Sequence, residues 1–315
     1  MKKSFISVII PAYNEEECVD ELAERLQKVM AKESNYDFEI FIVENGSVDS
    51  TWDKLKVISE NDSRFKILKL SRNFRMDGGL TAGLEFVTGD ACVLMTADLQ
   101  DPPEMISDFL RLWEQGYENI YGVITKRDGT GILRKINSNL FYWVAGKLTD
   151  GRIPRNASDF RLVDKKVYQT VKKMDERNRF VRGLFAWVGF HSIGVPMIRP
   201  PRFGGVSNAP TLKVIDLAFK GIFANSYKPL KLITVFGLSL SLLSFISIIP
   251  LGILWFSNGV PFAGFGTLVS LAILVFGLIS LMLGILSEYI GLIYEEVKSR
   301  PNFIVSEVLN FELDK

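Results

Sequence analysis

The chain has 315 residues, enough for one sizeable domain and an appendage. A net charge of +1 argues against a nucleic-acid-binding protein, where a strong basic excess is expected, and a single histidine, His191, argues against an imidazole-centred mechanism or a His-rich metal site and reads as a structural residue. Two cysteines, Cys18 and Cys92, cannot make a disulfide framework and fit a reducing cytoplasm.

Phe5–Ile10 is an apolar run ending at Pro11-Ala12-Tyr13-Asn14, and Glu15-Glu16-Glu17 follows it. Despite Met1-Lys2-Lys3, that pattern is a first strand and not a signal peptide. Glu15–Ala31 has Val19, Leu22, Ala23, Leu26 and Met30 at helical spacing. A second strand, Phe38–Val43, leads into the polar loop Glu44-Asn45-Gly46-Ser47-Val48-Asp49. Trp52–Ser59 is a helix and Phe65–Leu70 a third strand, followed by Ser71-Arg72-Asn73 and a helix start at Gly78-Gly79. Cys92–Ala97 is the fourth strand, Glu104–Glu114 a helix ended by Gly116, and Asn119–Ile124 the fifth strand. Strands alternating with helices imply βαβ units and a mostly parallel α/β sheet.

The fourth strand runs into Thr96-Ala97-Asp98-Leu99-Gln100-Asp101-Pro102-Pro103, which crowds oxygen ligands onto a strand's carboxyl end. In open α/β sheets, ligands bind there. Asp98 and Gln100, two apart in an extended segment, reach one side and leave coordination positions for phosphate oxygens. That suits a hard divalent cation shared with a diphosphate. A helix start with solvated carboxylates is the competing reading. A dehydrogenase-type dinucleotide site fails, because the first turn lacks Gly-x-Gly-x-x-Gly and its acidic run would repel a pyrophosphate. An aromatic and a carboxylate at that turn suit a nucleoside base and ribose.

After the fifth strand the charge changes sign. Lys126, Arg127, Arg134 and Lys135 flank a Gly129–Gly131 turn, as either a solvated face or an anion site. Asn156-Ala157-Ser158-Asp159-Phe160-Arg161 opens another apparent strand. Arg199-Pro200-Pro201-Arg202-Phe203-Gly204-Gly205-Val206-Ser207-Asn208 is a basic loop before Leu212–Phe223, which has the pattern of an interfacial amphipathic helix. From Leu232 to Ser287 the chain carries no charge over 56 residues. A spanning helix needs about 20 apolar residues, so this length holds two spans. Lys228, Lys231, Lys298 and Arg300 put both flanks in the cytoplasm. The expected layout is a cytoplasmic domain over 1–208, a juxtamembrane segment over 209–231, spans at 232–256 and 267–287, an outer link over 257–266, and a cytoplasmic tail over 288–315. This makes a multi-pass protein of the inner (plasma) membrane.

Ser7-Val8-Ile9-Ile10-Pro11-Ala12-Tyr13-Asn14-Glu15-Glu16, the Asn45-Gly46-Ser47-x-Asp49 loop, Ser71-Arg72-Asn73-Phe74, the Thr96–Pro103 turn and Ser158-Asp159-Phe160-Arg161 occur in register. So do Arg179-Phe180-x-Arg182-Gly183, Arg202-Phe203-x-Gly205-x-Ser207 and Glu288-Tyr289-Ile290-Gly291-x-x-Tyr294. Together they resemble the polyprenyl-phosphate glycosyltransferases of family 2, in the bactoprenol (undecaprenyl-phosphate) glucosyltransferase branch related to dolichol-phosphate mannose synthase. The resemblance implies a GT-A fold that moves a sugar, most simply glucose from UDP-glucose, to a polyprenyl phosphate with inversion. It implies that Pro11, Tyr13, Glu15, Glu44, Asn45, Thr96, Ala97 and Asp98 hold the nucleotide. It also implies that Asp98 and Gln100 bind Mg²⁺ or Mn²⁺, and that Arg127, Arg134, Ser138, Arg202 and Ser207 hold the lipid phosphate. Asp159 is implied as the base or as a group orienting the acceptor. By analogy with the family the partners are a nucleotide sugar, a polyprenyl phosphate lipid, the membrane and further copies of the chain as a homo-oligomer, with a tetramer as the family's example; small residues Gly277 and Gly284 suit helix association.

The chain departs from the family pattern at four positions. Thr96 and Asn45 stand where Asp is usual, Asn208 where Lys is usual and Arg75 where Gly is common. These changes admit an altered substrate, or a non-catalytic partner subunit that keeps the fold. A processive polysaccharide synthase would need more spans and a Gln-x-x-Arg-Trp motif, and the sequence has neither.

Overall fold

A computed structural model describes residues 3–127, 156–177, 179–204, 230–231, 233–239, 242, 246, 253, 257 and 264–312. Its centre is one eight-stranded sheet in the order β7-β5-β6-β4-β1-β2-β3-β8. The strands are β1 (Ser4–Ala12), β2 (Tyr36–Glu44), β3 (Phe65–Leu70), β4 (Ala91–Leu94), β5 (Asn119–Arg127), β6 (Ala157–Asp164), β7 (Ser192–Arg199) and β8 (Val305–Leu309). β1 pairs in parallel with both β2 and β4, and the order reverses between β1 and β4. Such a reversal opens a crevice outside the carboxyl ends of the strands.

Strict alternation along each central strand builds two cores. Ile6, Val8 and Ile10 of β1, with Ile40 and Ile42 of β2 and Val93 of β4, face helices α1 (Val19–Lys32), α2 (Thr51–Asn61) and α4 (Ile106–Glu114). Ile9, Phe41, Val43, Cys92 and Leu94 face the other way, onto α3 (Arg75–Phe86), α5 (Lys165–Lys172) and α6 (Val181–Trp187). The sheet is thus covered on both faces, which is why its strands are nearly continuous apolar runs. Cys18 and Cys92 are buried free thiols.

Several boundaries differ from the sequence reading. α3 starts at Arg75, so Gly78 and Gly79 lie inside the helix and not at its start. Both are buried: a Cβ on Gly79 would meet the Pro11 ring at 2.9 Å, so this glycine lets the helix approach β1, and one on Gly78 would meet the Phe74 side chain at 2.6 Å. β4 stops at Leu94 instead of Ala97, because the Thr96 N–H is taken by the Asp101 side chain at 3.0 Å. α1 begins at Val19, and Glu15–Cys18 form a turn in which the Cys18 N–H donates to the Glu15 carbonyl at 2.9 Å.

The carboxyl-terminal region differs most. The helix expected to end at Ser287 is part of α7 (Phe265–Lys298), a 34-residue helix. Among the described residues it alone is long and apolar enough to cross a membrane, through Leu274–Lys298. The described residues within 230–257 are helical, and the amphipathic segment Leu212–Phe223 lies outside the described residues. Among the described residues, nothing lies within 4 Å of a Cβ placed on Gly277 or Gly284. Beyond α7, the segment expected only as a tail carries β8, which pairs antiparallel with β3 and finishes the sheet.

Gly83 on α3 sits directly over Ile9, and a Cβ there would overlap the Ile9 side chain, which is fully buried and has no room to yield. Gly83→Ala is expected to lower the unfolding free energy by about 1–3 kcal/mol, as overpacking does. Urea denaturation of the full chain in detergent measures it; an unchanged midpoint would contradict this packing.

Candidate active site at the β1/β4 crevice

The acidic segment is a tight turn and not an extended one. The Asp98 Oδ1 accepts the Gln100 N–H at 3.2 Å and lies 2.8 Å from the Thr96 hydroxyl. Leu99 is forced to φ +59°, a left-handed conformation that costs a side-chain-bearing residue energy. Leu99 is 2 % exposed, so burial in the core offsets that cost. Asp101 is fully buried beneath the turn. Its Oδ2 accepts the Thr96 N–H and lies 2.8 Å from the Thr96 hydroxyl, while its Oδ1 accepts from Ser158 at 3.4 Å. Burial raises the Asp101 carboxyl, partly countered by the charge of Arg199.

This arrangement leaves Asp98 Oδ2 and Gln100 Oε1 without hydrogen bonds among the described residues, while Gln100 Nε2 donates to the Pro200 carbonyl at 3.3 Å. Among the described residues no group of three or more His, Cys, Asp or Glu makes a complete metal cage. One carboxylate oxygen and one amide oxygen still fit a hard cation whose other ligands are phosphate oxygens and water.

The loop after β7 closes over this turn. The Phe203 N–H approaches the Asp98 carbonyl at 3.5 Å, and Arg202 Nη2 donates to Glu15 Oε1 at 2.5 Å. Arg202 Nε donates to the Gly204 carbonyl at 2.7 Å. Burial raises the Glu15 carboxyl despite the Arg202 partner, and its Oε2 is buried with no hydrogen bond among the described residues. Glu15 and Arg202, expected at the nucleotide and the lipid phosphate respectively, are therefore bound to each other.

On the other side of β1 the nucleotide candidates form one network. Asn14 N–H donates to Ser47 Oγ at 3.0 Å, and the Glu15 N–H to Thr51 Oγ1 at 2.8 Å. Glu44 Oε1 accepts the Ser47 N–H, and its Oε2 is buried and without a hydrogen bond among the described residues. Pro11 and Ala97 are buried, and Tyr13 is half-buried. Asn45 accounts for two of the departures from the family pattern. Its Oδ1 accepts the Phe74 N–H and its Nδ2 donates to the Arg75 carbonyl, both at 2.8 Å. An aspartate could not make the second bond. Arg75 has φ +65°, a conformation natural to the glycine common there. The Asn45 amide and Asn73 Oδ1, which accepts the Arg75 N–H at 2.7 Å, hold it in place.

Asp159, at the rim end of β6, is bound two-pronged by Arg182 of α6, at 2.8 and 2.5 Å. Burial pushes its carboxyl up, but the charges of Arg182, Arg161 and Arg199 outweigh that and hold it below the usual range. A carboxylate so held is a poor general base. Arg161 is buried against the Phe185 ring at 5.1 Å and donates to the carbonyls of Ser158 and Asp159. Burial lowers it to about 10. Arg127 ends β5 opposite Arg199 of β7. Arg134, Ser138, Ser207 and Asn208 lie outside the described residues. His191 stands apart, stacked on Tyr117 at 4.5 Å. The sequence reading counted Asp101 among the oxygen ligands crowded onto the turn, whereas the structure buries it beneath the turn on Thr96 and Ser158. It gave no role to Arg182, Arg199 or Asp77; the first two lie in segments already quoted, whereas no spacing signals Asp77.

A family model described as glycosyl transferase family 2 matches residues 7–172. An uncharacterized glycosyltransferase, YkcC, of Bacillus subtilis is 38% identical over 306 residues, covering 97% of this chain and 94% of its own. The bactoprenol glucosyl transferase of Shigella phage SfII is 32% identical over 304 residues, covering 96% and 97%. Among solved structures, glucosyl-3-phosphoglycerate synthase of Mycobacterium tuberculosis with Mn²⁺, UDP and glucosyl-3-phosphoglycerate aligns at TM-score 0.47 and 16% identity, covering 70% and 78%. The crevice at the switch point and the full-length relatives define a glycosyltransferase. The chain belongs to glycosyl transferase family 2.

Asp77 of α3 accepts the Val181 N–H at 3.0 Å and so sets the start of the helix that carries Arg182. Burial, with repulsion from Asp159, raises its carboxyl to about 6. A carboxyl that titrates higher folded than unfolded contributes stability that is complete below about pH 4 and lost as pH rises through about 6. Asp77→Asn keeps an acceptor and removes the titration. Its urea midpoint is expected to gain on wild type at about pH 7.5 and not at about pH 4.5; an equal shift at both would exclude Asp77 titration as the cause.

Proposed function

We propose that this chain is a membrane-anchored enzyme that transfers a sugar, glucose from UDP-glucose, to the phosphate of a polyprenyl phosphate such as undecaprenyl phosphate, with inversion. The observation that carries the reading is the Asp98–Gln100 turn. It presents two unclaimed oxygens in the β1/β4 crevice, under a loop that brings in Arg202. The bactoprenol glucosyl transferase relatives, matched over nearly their whole length, support the acceptor. The uncharged stretch at 232–287 and the apolar helix α7 support two spans, with the sugar-handling domain on the cytoplasmic side.

In this reaction an acceptor phosphate oxygen forms a bond to the anomeric carbon. The bond from that carbon to the donor's β-phosphate oxygen breaks, and the nucleoside diphosphate leaves with the electron pair. The attacking oxygen is already anionic near neutral pH, so it needs aiming more than deprotonation. The β1 and β2 loops, with Tyr13, Glu15, Glu44 and Asn45, hold the nucleoside. Arg127, Arg134, Ser138, Arg202 and Ser207 direct the acceptor phosphate through charge-assisted bonds. Asp159 orients Arg182 and the neighbouring guanidinium groups, and does not take a proton. Asp98 and Gln100 would hold Mg²⁺ or Mn²⁺, which when bound supplies positive charge to the departing diphosphate.

Membranes containing the protein, incubated with radiolabelled UDP-glucose, Mn²⁺ and undecaprenyl phosphate, are expected to yield chloroform-soluble label. Chelating the metal should abolish it, and Asp98→Ala should lower it by about 100-fold or more. No label with any nucleotide sugar, and no nucleotide binding by calorimetry, would instead favour a non-catalytic partner subunit.

A further inference from the structure

Resting on the glycosyltransferase reading, we propose that Arg199 is a phosphate-binding residue of this crevice, whose guanidinium binds phosphate oxygens of the donor or of the acceptor while the sugar passes between them. Arg199 is the last residue of β7, at the rim of the sheet and opposite Arg127 in register. The residues after it are stitched to the acidic turn, through the Gln100 bond to the Pro200 carbonyl and the Phe203 contact with the Asp98 carbonyl. The guanidinium is therefore brought to the crevice by the same loop that closes it.

The other described guanidinium groups here are committed. Arg202 is bound to Glu15 and to the Gly204 carbonyl, Arg182 to Asp159, and Arg161 to two backbone carbonyls. Arg199 differs: its Nε is buried with no hydrogen-bond partner among the described residues. A buried donor left unpaired is unfavourable, and such groups are rare unless a ligand or water completes them. The charge of Arg199 acts on two carboxylates, Asp101 and Asp159, yet neither has an oxygen to spare. Asp101 is occupied by Thr96 and Ser158, and Asp159 by Arg182. The acids thus hold the arginine in place by charge without using its fork of donors, which matches a phosphate's oxygens. The oxygens could come from the donor's diphosphate or from the acceptor's phosphate.

The test uses the full chain in detergent micelles, comparing wild type with Arg199→Met and Arg199→Lys, after thermal unfolding has shown that each variant is folded. Calorimetry reads the affinity for UDP with Mn²⁺, and steady-state kinetics reads the KM for a short-chain polyprenyl phosphate. Arg199→Met is expected to weaken at least one of these by about tenfold or more, and Arg199→Lys to recover part of the loss. A weaker UDP affinity assigns the contact to the diphosphate; a raised KM with UDP affinity unchanged assigns it to the acceptor. A folded Arg199→Met variant with both values within about twofold of an active wild type would overturn the role of Arg199 alone. A wild type that binds no UDP and makes no product would overturn the glycosyltransferase reading, and this inference with it.

Discussion

The buried carboxylate of Asp101 is the constraint on which the crevice depends. A charge with no exposure is tolerated only when its oxygens are bonded, and here Thr96 and Ser158 meet that demand. The Met95 N–H still donates to Ile9 of β1, and the Thr96 N–H that Asp101 takes is the one that β4 would turn towards β6, so the pairing ends there and the chain turns. The turn forces Leu99 into a left-handed conformation and sets Asp98 beside Gln100 with oxygens unclaimed. Thr96, where the family usually has a carboxylate, lowers the negative charge at this point. Its hydroxyl lies between Asp98 and Asp101, where another carboxylate would add repulsion beside a buried acid. The substitution is thus accommodated within the turn.

A second constraint runs across the sheet. The strand order carries β7 to the far edge, yet the loop that follows it returns to bind Glu15 and Gln100. The positive groups consequently arrive from a different part of the chain than the negative ones, and they meet only in the folded protein. Asp159 sits where the two sets approach each other. Three guanidinium groups act on it and one grips it in a two-pronged bond, so its proton is lost well below neutrality. A phosphate nucleophile has no proton that must be removed, and a carboxylate committed to Arg182 suits that chemistry better than a free base would.

Much of this was legible in the sequence because it rests on local patterns. Apolar runs gave β1 to β5, since burial on both faces leaves little freedom in composition. The acidic turn stood out because Asp98, Gln100 and Asp101 follow a buried run directly. What was missed depends on contacts distant in sequence. Arg182 reaches Asp159 across 23 residues and Asp77 reaches Val181 across 104, and no spacing announces either. β8 was missed because five residues after a long helix carry only a weak alternating pattern; their pairing with β3 is decided by the edge that β3 leaves open. The start of α3 was misplaced because glycine was taken as a helix-start signal. At Gly78 and Gly79 the missing Cβ serves close packing instead.

The carboxyl-terminal segment ties the apolar helix to the crevice by hydrogen bonds on both sides of α3. At the end of α7, Glu296 accepts the Arg177 N–H and Ser299 Oγ accepts from the Arg177 guanidinium, both at 2.9 Å. Asn302 donates to the Glu176 carbonyl at 3.2 Å, so the segment leading to α6 and Arg182 is held against the helix end. On the other side, the Ser71 N–H donates to the Ile304 carbonyl at 2.9 Å, next to the loop that Asn45 pins through Phe74 and Arg75. The Asn310 amide then binds the carbonyls of Ser59 and Phe65, fixing β8 at the sheet edge. A helix held only by a covalent linker could tilt freely relative to the domain. A helix whose end is bonded to the supports of both Asp159 and Asn45 is held at an angle to the crevice that the fold sets.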